Sequence, residues 1–415
     1  MSNLLSGIRV LESAQLFNGD SLGMYLGDLG ADIIKVESPF LGDYLRDFLG
    51  QIVPHHSPAH MQVNKNKRSV TLDLRQPDGR DIFWRLLDTA DVFVDGNAAD
   101  AADKLGIGYE AQRARKPDII YCQYTGYGSE GPYARIPTHG QMMNALAAAT
   151  PMEMGPDGLM RKIYPAPGRM GDMLSGGEGT AAGAVHAALH VAAALVHRGR
   201  TGEGCFIDVA GHDGVIAQAW IGATYALNLD RVTDASSLPA ERTADGSTSA
   251  KYQWYETRDG KVILFCCIEP KFWRNFCRAV DRDDLLESHD EQHPVDFAGG
   301  DLALRRELQE IFHGRDLADW VALAAEHDIA MGPAPVTLQE AREDPHLRTR
   351  SIFVEGEHPQ AGPFTYLGEA GQVRGQPYEV RYPAPLLGEH TRAILGGELG
   401  LSGTELDELA RNGVI

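Results

Sequence analysis

Cysteine is scarce in this chain, five among 415 residues, and none of the five lies in the C-x-x-C spacing of structural zinc sites and redox pairs. Cys122, Cys205, Cys266, Cys267 and Cys277 are therefore expected as buried, reduced thiols, and no metal site is expected. Basic charge is also in short supply. The 38 Lys and Arg face 58 Asp and Glu, a net charge of −20, and no run of Lys/Arg exceeds three residues. Such a chain repels polyphosphate backbones and anionic lipid surfaces, so neither nucleic acid nor a membrane is an expected partner. The first nine residues lack a basic segment followed by a long apolar one, so no secretory signal is read and the expected compartment is the cytosol. Uninterrupted apolar runs are missing as well: Met173 to Val196 carries Glu178, His186 and His190, which favours a buried helix over a membrane span. No internal repeat is found. What remains is 43% hydrophobic and 23% charged, long enough for two or three domains with cores that need no staples.

Two hydrophobic periods alternate over the first 125 residues. Ile8 to Leu11 reads as a strand, Ser21 to Leu29 as a helix with Gly30 at its end, and Ala31 to Glu37 as a strand. The cycle continues with Ser69 to Leu74 (strand), Pro77 to Thr89 (helix), Asp91 to Val94 (strand), Ala101 to Leu105 (helix) and Ile119 to Tyr124 (strand). This alternation predicts a mostly parallel, doubly wound sheet, whose ligands sit beyond the carboxyl ends of the strands. A long helix is expected from Gly176 to His197 and a strand from Cys205 to Val209. The polar stretch from Leu229 to Ala250 suits a linker. Beyond it, Trp254 to Phe265 reads as a hairpin turning at Asp259-Gly260, with helices over Phe272 to Val280, Leu317 to Glu326 and Thr404 to Ala410.

Several constellations could carry chemistry. Gly177 to Ala182 contains a G-x-G-x-x-A pattern, but Pro165 and Pro167 ahead of it exclude the central strand that a dinucleotide fingerprint needs. His186 and His190 share a helical face without a third ligand, and His212 lies between Asp208 and Asp213 without a supporting motif; these are read as structural. More informative is Asp172 in Gly171-Asp-Met-Leu-Ser-Gly-Gly177. Small neighbours leave room for a substrate to approach its carboxylate, and free helix N–H groups can stabilise a developing anion. A simple helix cap is the competing reading of the same residue.

Arg9-Val-Leu-Glu12, Gly30 to Glu37, Asn66 to Leu74, Lys104 to Tyr109, Gly126-Tyr-Gly128, Gly171-Asp172 and Leu387 to Thr391 follow one another in an order that resembles the family III CoA-transferases, the CaiB/BaiF type. That superfamily also contains the α-methylacyl-CoA racemases. The resemblance implies coenzyme A as the carried group of an acyl-CoA thioester, a carboxylic acid as its second partner, and Asp172 as the catalytic residue. In a transferase Asp172 attacks the thioester to form a mixed anhydride and then an aspartyl-CoA thioester. In a racemase it exchanges a proton at the α-carbon with a histidine. His139 stands where the racemases place that histidine, and Glu269 matches their Glu-Pro segment. Gly140 and Gly171 depart from the racemase pattern beside both catalytic positions, which favours CoA transfer, with racemisation the alternative. The run of glycines found in formyl-CoA transferases is absent between Leu229 and Ala250. A binding protein without catalysis and an NAD-dependent oxidoreductase are more distant readings.

For CoA itself the resemblance carries Leu72 and Arg75 onto the adenine and phosphate contacts, and Lys104 onto the diphosphate. The usual Arg after Val-Glu is Ser38, and the usual Glu-Asn-Phe/Tyr is Asp95-Gly96-Asn97. The expected architecture is α/β: a large Rossmann-like domain over residues 1–225, completed by 341–415, with a smaller α+β domain inserted over 226–340. The resemblance further implies a homodimer of interlocked rings.

Overall fold

The computed structural model describes residues 3–98, 100–163, 178–234, 249–288 and 293–415. The chain divides into two packed units. Among the described residues the first unit takes those up to 163, those from 178 to 223 and those from 344 onward; the second takes 224 to 343.

The first unit opens with strand β1 (Arg9–Ser13), helix α1 (Phe17–Asp28), β2 (Asp32–Glu37), α2 (Pro58–Val63), β3 (Lys67–Thr71) and α3 (Pro77–Asp88). It continues through β4 (Val92–Asp95), α4 (Ala101–Lys104), α5 (Tyr109–Arg115), β5 (Ile120–Thr125), α6 (Gly140–Leu146), the small β6 (Met152–Met154) and β7 (Met160–Lys162), α7 (Glu178–Thr201), β8 (Cys205–Ala210), α8 (Gly211–Gln218) and the start of α9 (Trp220–Asn228). Six of these strands form one all-parallel sheet in the order β3-β2-β1-β4-β5-β8. The path runs outward from β1 to β2 and β3, then returns to β4 on the other side of β1, so the direction of winding reverses between β1 and β4.

Both faces of this sheet are covered, which is why β4 and β5 are largely apolar. Period-two geometry sends Leu11, Ile34, Val70, Phe93 and Tyr121 to one face, where they pack on Phe83 and Leu86 of α3. Val10, Ile33, Val92, Ile120 and Cys122 go to the other, against Leu22 and Leu26 of α1 and Ala184, Ala187 and Val191 of α7. Among the described residues α7 is the one helix long and apolar enough to cross a bilayer; its small residues instead let it lie close against the sheet. Gly30 follows α1 at φ +105°, a conformation glycine adopts without steric cost.

The second unit places β9 (Tyr252–Glu256), β10 (Val262–Cys266) and β11 (Met331–Pro333) in an antiparallel sheet of order β11-β10-β9. Helices α10 (Pro270–Ala279), α11 (Leu302–Phe312) and α12 (Leu317–His327) cover it around Phe265, Trp273, Phe276, Phe312 and Trp320, and α13 (Leu338–Glu343) ends the unit. The β9–β10 turn contains Gly260 at φ +70°, with the Thr257 hydroxyl donating to Asp259 at 2.6 Å. The chain then returns to the first unit with α14 (Pro345–Thr349), the hairpin β12 (Phe353–His358) and β13 (Gly362–Leu367), and α15 (Gly403–Arg411), whose Leu406 joins the α3 face of the core. A capping box between Ser402 and Glu405 starts α15.

Three local expectations shift. Helix α1 begins at Phe17, ahead of Ser21, and β3 begins at Lys67, ahead of Ser69, because buried charges occupy positions that periodicity treats as solvent. All five cysteines are free, but Cys205 and Cys266 are half-buried, each near the surface end of its strand. Among the described residues no His/Cys/Asp/Glu cluster is arranged to hold a metal.

Candidate functional site

A cavity of about 870 Å³ opens in the first unit where the winding reverses. Its walls come from the segments that leave the carboxyl ends of β1 (Gln15, Leu16), β4 (Gly96, Asn97) and β5 (Thr125, Gly126, Tyr127). Helix α1 adds Phe17, Asn18, Ser21 and Met24, the 44–49 segment adds Tyr44, Phe48 and Leu49, and the start of α7 adds Thr180 and Ala181. Parallel strands leave a gap between loops diverging to opposite faces, and this reversal point is where such folds bind ligands.

Close approach of backbone builds the inner end. A Cβ on Gly19 would lie 2.4 Å from that of Ala14 and 3.2 Å from the Gly96 Cα, so α1 can enter only because residue 19 has no side chain. The turn after β4 is locked by Asp95. Its carboxylate accepts from the Tyr121 hydroxyl at 2.6 Å and from the Asn97 amide and side chain at 3.0 Å, while Asn97 also donates to the Ser13 carbonyl. Burial pushes the Asp95 carboxyl above its ordinary value, opposed by these donors. Leu16, on the cavity wall, has φ 61° and ψ −145°, a region that side chains rarely occupy. Its amide donates to Asp43 at 3.0 Å, an interaction that fixes this backbone.

Asp43 belongs to a buried ionic network beneath this wall. The Lys35 ammonium contacts Asp20, Asp43 (3.0 Å) and Glu12 (3.3 Å), and Lys67 binds both Glu12 oxygens at 2.9 and 2.8 Å, with every one of these side chains shielded from solvent. Burial would depress Lys35, but Asp20, Asp43 and Glu12 outweigh it and keep the ammonium protonated. Asp43 goes the other way. Burial first, and then the neighbouring Asp20 charge, raise its pKa to about 6 despite Lys35. Next to it, Arg46 grips Glu37 with two bonds of 3.0 and 2.8 Å and holds that carboxyl below its ordinary value against burial. Neither pattern of charge was legible from local periodicity.

The residues singled out from sequence are distributed unevenly. His139 is on the exposed rim of the cavity as the residue preceding α6, and its imidazole makes no capping bond to that helix. Asn144 of α6 in turn accepts from the Gly179 amide at 2.9 Å, tying α6 to the start of α7. Leu72 and Arg75 follow β3, and Lys104 lies in α4 after β4, so all three emerge at the same carboxyl edge of the sheet, but none lines the cavity. The Leu72 side chain is buried in the α3 face of the core, and its amide donates to the Glu37 carbonyl at 2.9 Å. Arg75 is exposed and pairs with Asp73 at 2.8 Å, while Lys104 is exposed and pairs with Asp100 at 2.9 Å. Glu269 precedes α10 in the second unit, half-buried. Asp172 lies outside the described residues, as do Gly176 and Gly177 of the glycine-rich run.

Of the residues read as structural, His190 donates from Nδ1 to the His186 carbonyl of its own helix, 2.7 Å away. Asp208 accepts from the Ser129 amide and hydroxyl, and His212 contacts the Gly126 carbonyl at 3.1 Å. Gln15, Phe17, Tyr44 and Phe48 were missed. The rule that ligands sit beyond β1 and β4 would have found Gln15 and Phe17, but nothing local in the sequence brings the 44–49 segment to the same place.

Comparison with known proteins bears on this site. The family description "CoA-transferase family III" matches residues 5–391. The human succinyl-CoA:glutarate CoA-transferase is 28% identical over 427 positions, spanning 100% of this chain and 91% of its own length. A succinyl-CoA:mesaconate CoA-transferase from Haloarcula hispanica is 29% identical, spanning 96% of each chain. Among solved structures, a CaiB/BaiF family protein from Brucella suis superposes with a TM-score of 0.69 at 26% identity, covering 96% of this chain and 100% of that one. With a match over nearly the whole length, a parallel α/β sheet in common and CoA-transferases among its relatives, the chain belongs to CoA-transferase family III and is an enzyme that acts on CoA thioesters.

Proposed function

We propose that Asp172 is the nucleophile of a transferase that moves CoA from an acyl-CoA donor to a carboxylic acid. The observation that carries this reading is the cavity at the β1/β4 reversal point, one wall of which is the start of α7, six residues after Asp172 in the chain. In this scheme the Asp172 carboxylate attacks the thioester carbonyl and expels the CoA thiolate, leaving a mixed anhydride. The thiolate then attacks the aspartyl carbonyl, which releases the donor's carboxylate and forms an aspartyl-CoA thioester. The acceptor carboxylate displaces the thiolate again, and thiolate attack on the acceptor's carbonyl yields the new acyl-CoA and free Asp172. Leu72, through its backbone, Arg75 and Lys104 hold the nucleotide end of CoA. The two cations sit on a chain of net charge −20, where local cations are needed to keep a polyanion, and both are exposed enough to exchange Asp73 and Asp100 for phosphate. His139 shapes the cavity rim, and the resemblance carries Glu269 over as a further catalytic position.

The strand order supports the Rossmann-like reading, and the packing break near residues 223 and 343 supports a large domain of 1–225 with 341–415 around a small one of 226–340. A homodimer, which the resemblance makes one of interlocked rings, is supported by α9. None of its residues is buried, although Trp220, Ile221, Tyr225 and Leu227 are 64, 60, 53 and 78% exposed. Apolar surface of this extent on one helix is suited to a second copy of the chain. Five unpaired cysteines support a reducing, cytosolic setting.

The test is the Asp172→Ala variant beside the wild type. CoA transfer is expected to vanish in the variant while CoA esters still bind. In the wild type, hydroxylamine or borohydride is expected to trap an ester on the peptide containing Asp172. Full turnover in the folded variant refutes the proposal, and α-deuteration of a 2-methylacyl-CoA without any adduct replaces it with racemisation through His139 and Asp172.

A further inference from the structure

We infer that the acyl group this enzyme transfers is an uncharged hydrocarbon chain, branched or aromatic, and not the dicarboxylate half-ester named for several of its relatives. The inference rests on the transferase reading and specifies its substrate. Its basis is the lining of the cavity. Phe17, Met24, Tyr25, Tyr44, Phe48 and Leu49 make up one side of it, and among the described lining residues there is no Lys, Arg, Asp or Glu. The polar groups present, such as Gln15, Asn18 and Asn97, are neutral, and Asn97 is already committed to Asp95 and Ser13. The imidazole of His139 sits on the exposed rim.

Succinyl, glutaryl and similar groups end in a second carboxylate. Taking that anion out of water without a counter-charge is costly, and sites that select dicarboxylates meet it with Arg or Lys. Among the described residues, the buried cations beneath the cavity wall offer no such partner. Lys35 and Lys67 are spent on Glu12, Asp20 and Asp43, and Arg46 on Glu37 and the Pro385 carbonyl. A hydrocarbon of the same shape, by contrast, gains from contact with the aromatic wall. About 870 Å³ is ample for such a chain beside the end of the pantetheine arm.

The decisive comparison holds size constant and changes charge. 4-Methylpentanoyl-CoA replaces the terminal carboxylate of succinyl-CoA with an isopropyl group of the same outline. Full-length enzyme is incubated with each ester and its own isotopically labelled free acid, and incorporation of label into the ester is followed, so no second substrate need be known. The expected kcat/KM favours 4-methylpentanoyl-CoA by about 10²-fold or more, since a charge should be rejected at least as strongly as a hydroxyl in an apolar pocket. Equal rates, or a preference for succinyl-CoA, overturn the inference. Phe48→Arg, at a position 41% exposed where a long cation can be accommodated, is expected to narrow the ratio by about tenfold or more. An unchanged ratio in that variant counts against the cavity as the acyl site. If neither ester exchanges, the transferase reading fails separately. Calorimetric binding of both esters to Asp172→Ala then decides the specificity: tighter binding of the uncharged ester by about tenfold or more sustains it, and equal, reversed or undetectable binding overturns it.

Discussion

Asp43→Asn isolates one buried charge of the ionic network beneath the cavity wall. Asp43 faces Asp20 from α1 and Lys35 from β2, its amide donates to Glu37, and Lys35 links it to Glu12 of β1. One of its oxygens accepts from the Leu16 and Leu45 amides, and an asparagine oxygen can retain both bonds. In the unfolded chain the carboxyl titrates near 3.8; in the fold, burial and Asp20 raise it to about 6. The native state therefore holds this proton over a range in which the unfolded state has lost it. The group's contribution to stability is fully present below about pH 4 and declines as pH rises through about 6. At about 1.4 kcal/mol per pH unit, the separation amounts to about 3 kcal/mol. Asparagine mimics the protonated form at every pH. The stability of Asp43→Asn relative to wild type is thus expected to improve by about 2.5 kcal/mol between pH 4 and pH 7, with most of the change before pH 6.5. Urea unfolding of both proteins across this range measures it, with unfolding rates compared instead if the transition is irreversible. A difference that stays constant with pH refutes a raised Asp43, and a difference that moves toward the wild type as pH rises refutes the assigned sign.

Gly23→Ala would put a Cβ 1.7 Å from a Glu12 oxygen, so α1 must move off the Lys35 and Lys67 network; a loss of about 1–3 kcal/mol is expected in denaturant melts, and a neutral effect would show that the helix is not held there. His139→Ala is expected to raise KM more than it lowers kcat. A fall in kcat of about 10²-fold with unchanged KM would instead assign His139 to proton transfer. Trp220→Asp combined with Leu227→Asp is expected to lower the stability of the proposed interlocked dimer in denaturant melts, since threaded chains separate only by unfolding. The exposed two-thirds of one tryptophan represents about 2–4 kcal/mol per subunit, and an unaltered melt would place the interface elsewhere.

Much of the first unit could be read from the chain alone. Strands such as β4 and β5 are mostly apolar because both faces of a parallel sheet are covered, and α3 displays Ile82, Phe83, Leu86 and Leu87 at helical spacing because it covers only one. Gly30 marked the end of α1 by the same local logic, since only its own backbone angle is at stake. Segments in family order carried the reading of CoA chemistry, because they report ancestry and need no contact to be seen. Contacts across long sequence separations were another matter. Lys35 and Lys67 look like surface residues to any periodic pattern, and they are buried because Glu12, Asp20 and Asp43 converge on them from 8 to 55 positions away. The cavity likewise joins Phe48 to Tyr127 and Thr180, which no spacing rule relates. Local sequence determines backbone periodicity, since that is a property of neighbouring residues. The burial of a charge and the lining of a pocket are properties of residues that meet only when the sheet has closed, and only the tertiary structure decided them.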